Sequence, residues 1–390
     1  MLGLGLVGLF AAFAIGGLFH ADDNEEPDEP TPETPDTPSH GTAGNDLLSL
    51  GQNEIGNRSG WAGDDTITAA GVSRDDPHFN DISQNSSDDV LSNFFAQGQF
   101  VHPNIQNVYG NADNDTIFAS GNGVFANGGD GQDLLDFSNA DQGIGVIGAG
   151  DTMLGTTQEG SVLHVLSQNG GLFYGGAEQA IAVANGFGAT LDGGAGNDAL
   201  MNLDGQATLI GGAGDDTLQA DINSDQFQGS QANRLSWLTD NNFDVLDGGV
   251  GNDVLTLSQG DIATLGSGAD HATISDSAAH ADDQAAVITD FNPAEDTLRI
   301  VAGDANGHTD HDGLVGQVST QEVDGNTHVI VAGKVVADLQ GVTGLNIDLV
   351  SNPYEVASSA APICTTLSGT PADSDDFDVL VQVYPRFIGD

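Results

Sequence analysis

Eight aspartates in this chain recur in one local setting, and that setting has the chemistry of an oxygen cage for a hard cation. They are Asp46, Asp65, Asp115, Asp133, Asp198, Asp216, Asp253 and Asp270. The best-formed loops read GGAGNDAL at 193–200, GGAGDDTL at 211–218 and GGVGNDVL at 248–255. In them Gly193, Gly194 and Gly196, then Gly211, Gly212 and Gly214, then Gly248, Gly249 and Gly251 precede the acid. Closely spaced glycines permit positive φ, so the backbone can turn sharply and aim several carbonyl oxygens at one point. The aspartate adds a carboxylate. One loop offers too few oxygens for Ca²⁺, which takes about six to eight; two loops stacked on each other approach that number. A carbonyl-rich cage suits Ca²⁺ better than the smaller, more strongly hydrated Mg²⁺. No Cys or paired-His spacing supports zinc.

The elements that must position these loops follow from the spacing. The acids pair at 65 − 46 = 19, 133 − 115 = 18, 216 − 198 = 18 and 270 − 253 = 17 residues. Two residues after each comes Leu48, Ile67, Ile117, Leu135, Leu200, Leu218, Leu255 or the smaller Ala272. An apolar ladder of period nine, Leu191, Leu200, Leu209, Leu218, runs through the best copies. A period of nine doubled to eighteen is the signature of a solenoid. Each nine residues supply a Gly-rich turn and a short strand whose aliphatic side chain points inward. Residues eighteen apart then lie above one another on one edge. Because the regular loops come in pairs, the pairs are expected to act as separate sites, about one ion to each. Residues 73–107 and 137–190 read as irregular insertions, the second carrying GIGVIGAGD at 143–151 and AIAVANGFGATL at 180–191, short aliphatic segments that read as further short strands.

Composition agrees. The 390 residues carry 58 Asp+Glu against 6 Lys+Arg, a net charge of −52, and only ten of the acids are Glu. Six basic residues cannot neutralise phosphate, so nucleic acid is excluded as a partner. Gly and Asp are poor helix formers, so long helices are not expected. Cys364 is alone, and no internal disulfide can staple the chain. Metal is then the alternative staple.

Five regions follow. Residues 1–20 hold the apolar run LGLGLVGLFAAFAIGGLF, read as a membrane anchor or a signal. Residues 21–40 are an acidic, Pro-rich linker. Residues 41–280 form the all-β solenoid with insertions. Residues 281–354 form a β-rich cap, in which VSTQEV, THVIV and KVVADL make an antiparallel meander with turns at Asp324-Gly325 and Ala332-Gly333. Residues 355–390 are a tail containing DSDDFDVLVQVY.

The loops resemble the nonapeptide G-G-x-G-x-D-x-U-x of the hemolysin-type (RTX) calcium-binding repeat proteins. Departures occur at Trp61, Asn111 and Asp113, which replace glycines, and at Leu265. The resemblance covers roughly residues 41–350. It implies a parallel β-roll with Ca²⁺ between successive turns, and export by a type I machinery that reads a C-terminal signal. The function expected is a calcium-binding structural protein of the bacterial exterior or cell surface, folded by extracellular Ca²⁺. No catalytic residue can be named; G-x-S-x-G and H-E-x-x-H are both absent. Two other readings stay open: a secreted enzyme acting on polysaccharide or a lytic protein on a solenoid scaffold, and a calcium-dependent adhesin.

Overall fold

The computed structural model describes residues 40–71, 106–220, 243–277, 284–303, 318–350 and 379–384, apart from positions 53, 55, 159, 160, 186, 204, 332 and 346. The apolar run, most of the linker, most of residues 73–107 and most of the tail lie outside them.

The described chain is all β: short strands wind into a β-solenoid with two parallel walls. Wall one stacks Leu47–Leu50, Thr66–Ala69, the first part of Thr116–Asp130, the first part of Leu134–Ile147, then Thr152–Leu154, Gly171–Tyr174, Ala189–Ala195, Ala207–Ala213, Val245–Val250, Ile262–Thr264 and Ala286–Ile288. Wall two begins at Gly56–Ser59 and Gln106–Ala112 and takes the later parts of the same two long strands. It continues through Val162–Gln168, Ala180–Asn185, Ala199–Asn202, Thr217–Gln219, Val254–Leu257, His271–Ser277 and Thr297–Gly303. The chain crosses from wall one to wall two at what we call the forward edge, and back at the return edge.

Register explains the nine-residue ladder. Leu191 pairs with Leu209 in wall one and Leu200 with Leu218 in wall two, so one coil is eighteen residues and consecutive leucines face each other from opposite walls. Side chains alternate along each strand, which sends every second residue into the space between the walls. Leu48, Ile67, Ile117, Leu135, Leu200, Leu218, Leu255 and Ala272 all lie in that core. Each buried leucine contributes roughly 1.5–3 kcal/mol. The core is bulkiest in the middle of the stack, where Phe137, Met153, Leu163 and Phe173 are fully buried.

Within residues 137–190 the short strands expected at 143–151 and 180–191 are present, in Leu134–Ile147, Ala180–Asn185 and Ala189–Ala195, while the expectation of an irregular insertion is corrected. These residues form consecutive coils, with Leu163, Val165, Phe173 and Ala182 in the shared core. A second apolar cluster lies on the outer face of wall two here: Phe125, Ile144, Val146, Leu166, Val183 and Leu203. His164, flanked across the strands by Ile144 and Ile181, is buried with both ring nitrogens unpartnered, and burial pulls its pKa down to about 4.

The parallel stack runs past residue 280 through Ala286–Ile288 and Thr297–Gly303. The antiparallel part is the meander Val318–Val323, Asn326–Val331 and Lys334–Leu339, whose last strand joins wall one beside Ala286–Ile288. Asp324 and Gly325 both have positive φ in its first turn, as a two-residue hairpin requires. In the tail, Val379–Tyr384 pairs with Thr297–Gly303 and Ile347–Val350.

Candidate metal-binding edges

The glycine turns are built as the sequence demands. At the second and fourth loop positions Gly194 and Gly196, Gly212 and Gly214, and Gly249 and Gly251 all have φ between 89° and 142°. A Cβ at Gly212 would fall on the carbonyl of Gly194, and one at Gly249 on that of Gly212, so successive turns are packed backbone against backbone. The first glycine has a different duty. A Cβ at Gly193 or Gly211 would collide with Oδ2 of the same loop's Asp198 or Asp216. The degenerate copies keep this shape without the residue that favours it: Trp61, Asn111 and Asp113 sit at φ 83°, 82° and 74°.

These turns set the aspartates in two ladders. On the return edge the amide of Asp46 donates to Oδ1 of Asp65 (2.7 Å), Asp65 to Asp115 (2.8 Å), Asp115 to Asp133 (2.8 Å) and Asp133 to Asp151 (3.0 Å). On the forward edge Ala180 donates to Asp198 (2.6 Å), Asp198 to Asp216 (2.7 Å), Asp216 to Asp253 (2.7 Å), Asp253 to Asp270 (2.8 Å) and Asp270 to Asp296 (3.1 Å). The residue before each acid makes a second, exposed ladder of opposite sense: Asp215 N–H donates to Asn197 Oδ1 at 3.0 Å, and Asn252 N–H to Asp215 Oδ1 at 2.8 Å. The N-D and D-D pairs of the loops are thus both occupied in joining one coil to the next.

All eight expected acids lie on these edges, and each expected pair is adjacent. The expectation of isolated pairs is corrected, because the intervals of 50 residues from Asp65 to Asp115 and 37 from Asp216 to Asp253 each span a single step of the stack. Sequence reading missed Asp151 and Asp296, and also Asp244 and Asp261, which form a short ladder on the return edge (Asp244 N–H to Asp261 Oδ1, 2.9 Å). The signal was present. Met153, Leu246, Ala263 and Leu298 follow these acids by two residues, and Asp244 and Asp261 precede Asp253 and Asp270 by nine.

The second carboxylate oxygen separates two kinds of loop. In Asp65, Asp115, Asp133, Asp198, Asp216, Asp253 and Asp270 the buried Oδ2 has no hydrogen-bond partner. In the others it is taken: Thr42 N–H donates to Asp46 (2.5 Å), Gly148 N–H to Asp151 (2.7 Å), Ser258 N–H to Asp261 (2.6 Å), Asn292 N–H to Asp296 (2.8 Å), and the Asn202 amide reaches Asp244 (2.9 Å). Asp46 is therefore unlike the other seven expected acids.

An orphaned carboxylate oxygen is costly in a buried setting, and burial itself raises the pKa of the group. Burial, with neighbouring carboxylates adding to it, pushes Asp115 and Asp198 up to about 7, and Asp133, Asp253 and Asp270 up to about 6. Asp65 and Asp216 move the same way for the same first cause. A divalent cation would satisfy the orphaned oxygens and cancel the repulsion, so the donor set fits Ca²⁺: hard oxygens only, with glycine carbonyls beside them. Among the described residues no three His, Cys, Asp or Glu side chains converge on one point, so carboxylates alone cannot complete a coordination sphere. Among them, too, no helix is long and apolar enough to cross a membrane. Compared with known proteins, the chain matches no family model and no curated sequence.

Proposed function

We propose that this chain is a calcium-binding structural protein of the hemolysin-type (RTX) kind, exported to the cell exterior and ordered there by Ca²⁺. The observation that carries the reading is the set of seven buried aspartates in glycine turns, each with one carboxylate oxygen left without a hydrogen bond. The net charge of −52 supports it, because a metal-free chain of that charge repels itself. At cytosolic calcium the coils stay loose enough for export; at extracellular calcium the sites fill and fold the chain.

Circular dichroism and calorimetry on the full chain, stripped with EGTA and titrated with Ca²⁺, test the reading. β-structure is expected to grow in at about 10⁻⁴–10⁻³ M Ca²⁺. Identical spectra and no binding heat would overturn it. Export is tested separately. Deleting residues 1–20 is expected to move the protein from the cell fraction to the medium, and deleting 355–390 to trap it inside; the reverse pattern refutes the type I route.

A further inference from the structure

We infer that calcium loads this solenoid as two independent columns, one on each edge, flanking a central segment that holds its fold without metal. The inference rests on the calcium reading above and specifies how the sites are coupled.

The seven open carboxylates do not form one series. Asp65, Asp115 and Asp133 stand on the return edge in the N-terminal coils, and Asp198, Asp216, Asp253 and Asp270 on the forward edge in the C-terminal coils. Each column ends on a carboxylate closed by its own loop, Asp151 by Gly148 N–H and Asp296 by Asn292 N–H. Among the described residues, the edges opposite the columns carry no aspartate with an orphaned carboxylate oxygen. In the C-terminal coils the return edge carries the saturated Asp244 and Asp261. In the N-terminal coils the forward edge carries buried neutral amides, with Gln106 accepting from Gly71 N–H (2.9 Å) and donating to the carbonyls of Gly51 (2.7 Å) and Glu54 (2.9 Å).

Between the columns the turns need no cation. Thr156 Oγ1 donates to the carbonyl of Ala140 (2.5 Å) and Ser161 Oγ to that of Gln158 (2.5 Å), while Asn169 and Gly188 amides donate to the carbonyls of Asn185 (2.9 Å) and Gln206 (2.7 Å). The largest core side chains lie in the same coils, and the outer cluster from Phe125 to Leu203 is apolar clasping found, among the described residues, on wall two alone. In a stack, order passes only between touching coils. A centre that is folded with or without metal therefore presents each column with the same template, and filling one column does nothing for the other.

Hydrogen–deuterium exchange on the full chain, read peptide by peptide through a Ca²⁺ titration, tests this. In EGTA, peptides from Val162–Gln168 and Ala180–Asn185 are expected to keep protection that peptides spanning residues 110–136 and 193–218 lose. Asp133→Asn, which keeps the ladder acceptor, is expected to raise the calcium midpoint of 110–136 by about tenfold and leave that of 193–218 within about twofold; Asp216→Asn should do the opposite. Protection in the central peptides shows that each variant is folded. One shared transition, moved equally by either variant, overturns the two-column inference while leaving the calcium reading intact. Exchange unaffected by Ca²⁺ in every peptide overturns both.

Discussion

The turn glycines can be ranked by what a methyl group would meet. Gly212 has φ 106° and the Gly194 carbonyl against its Cα, so Gly212→Ala combines backbone strain with a collision between coils. It is expected to cost about 2 kcal/mol or more, read as a lower denaturation midpoint in saturating calcium. The converse holds where the chain already carries the wrong residue. Trp61 occupies a left-handed position with its ring in solvent, 64% exposed, so it gives up backbone energy and gains little burial. Trp61→Gly is expected to stabilise the protein by roughly 1 kcal/mol. A fall in midpoint would mean that the ring makes contacts worth more than the strain.

At the scale of the ladder, the raised carboxylate pKa values fix the direction of the pH response without metal. An aspartate whose folded pKa lies above its unfolded value holds its proton more tightly when folded. Its contribution is complete below about pH 4, the unfolded value, and is lost as pH rises through the folded one. For Asp133, Asp253 and Asp270 that loss is nearly complete by about pH 6, and for Asp115 and Asp198 by about pH 7. His164 opposes this below pH 6.5, since it must stay neutral, but it is one group against a column. In EGTA the urea midpoint is therefore expected to be higher at pH 5 than at pH 8. In saturating calcium the order should reverse, because protons then compete with the metal. A metal-free midpoint that rises from pH 5 to pH 8 would show that the carboxylates are solvated. Much of this architecture was legible beforehand. The apolar period of nine fixed the coil, and the D-x-aliphatic triplet marked both edge and core. What escaped notice escaped for physical reasons. Asp151 and Asp296 stand in shorter loops that replace the first glycine with an N–H donor to Oδ2, so the six-residue motif is absent although the ladder continues. The two long intervals concealed adjacency because a solenoid corner constrains only where the chain leaves and returns.

For the whole molecule, chain length and stack length are separate quantities. Asp216 and Asp253 are neighbours although 37 residues apart, and 37 − 22 + 3 = 18. Replacing residues 221–242 with three small polar residues restores the regular coil. That variant is expected to bind the same amount of calcium as the parent and to match its β-signal, measured by calorimetry and circular dichroism. Loss of the Asp216–Asp253 step would appear as a loss of bound calcium.

The meander at the far end has a consequence for assembly. A parallel solenoid has no intrinsic length: its last rung offers the same row of amides and carbonyls as every rung before it, and a second molecule could continue the pattern. Here the wall gives way to an antiparallel meander: Asn326–Val331 runs against Lys334–Leu339, and the border strand Val318–Val323 beyond it has Ser319, Thr320, Gln321 and Glu322 all exposed. A hydrophilic, exposed border strand is a poor template for head-to-tail growth. Removing residues 318–339 should uncover Ala286–Ile288, and light scattering should then report concentration-dependent linear oligomers where the intact chain stays monodisperse. The meander is in this sense a stop signal for polymerisation, written in the polar side chains of its border strand.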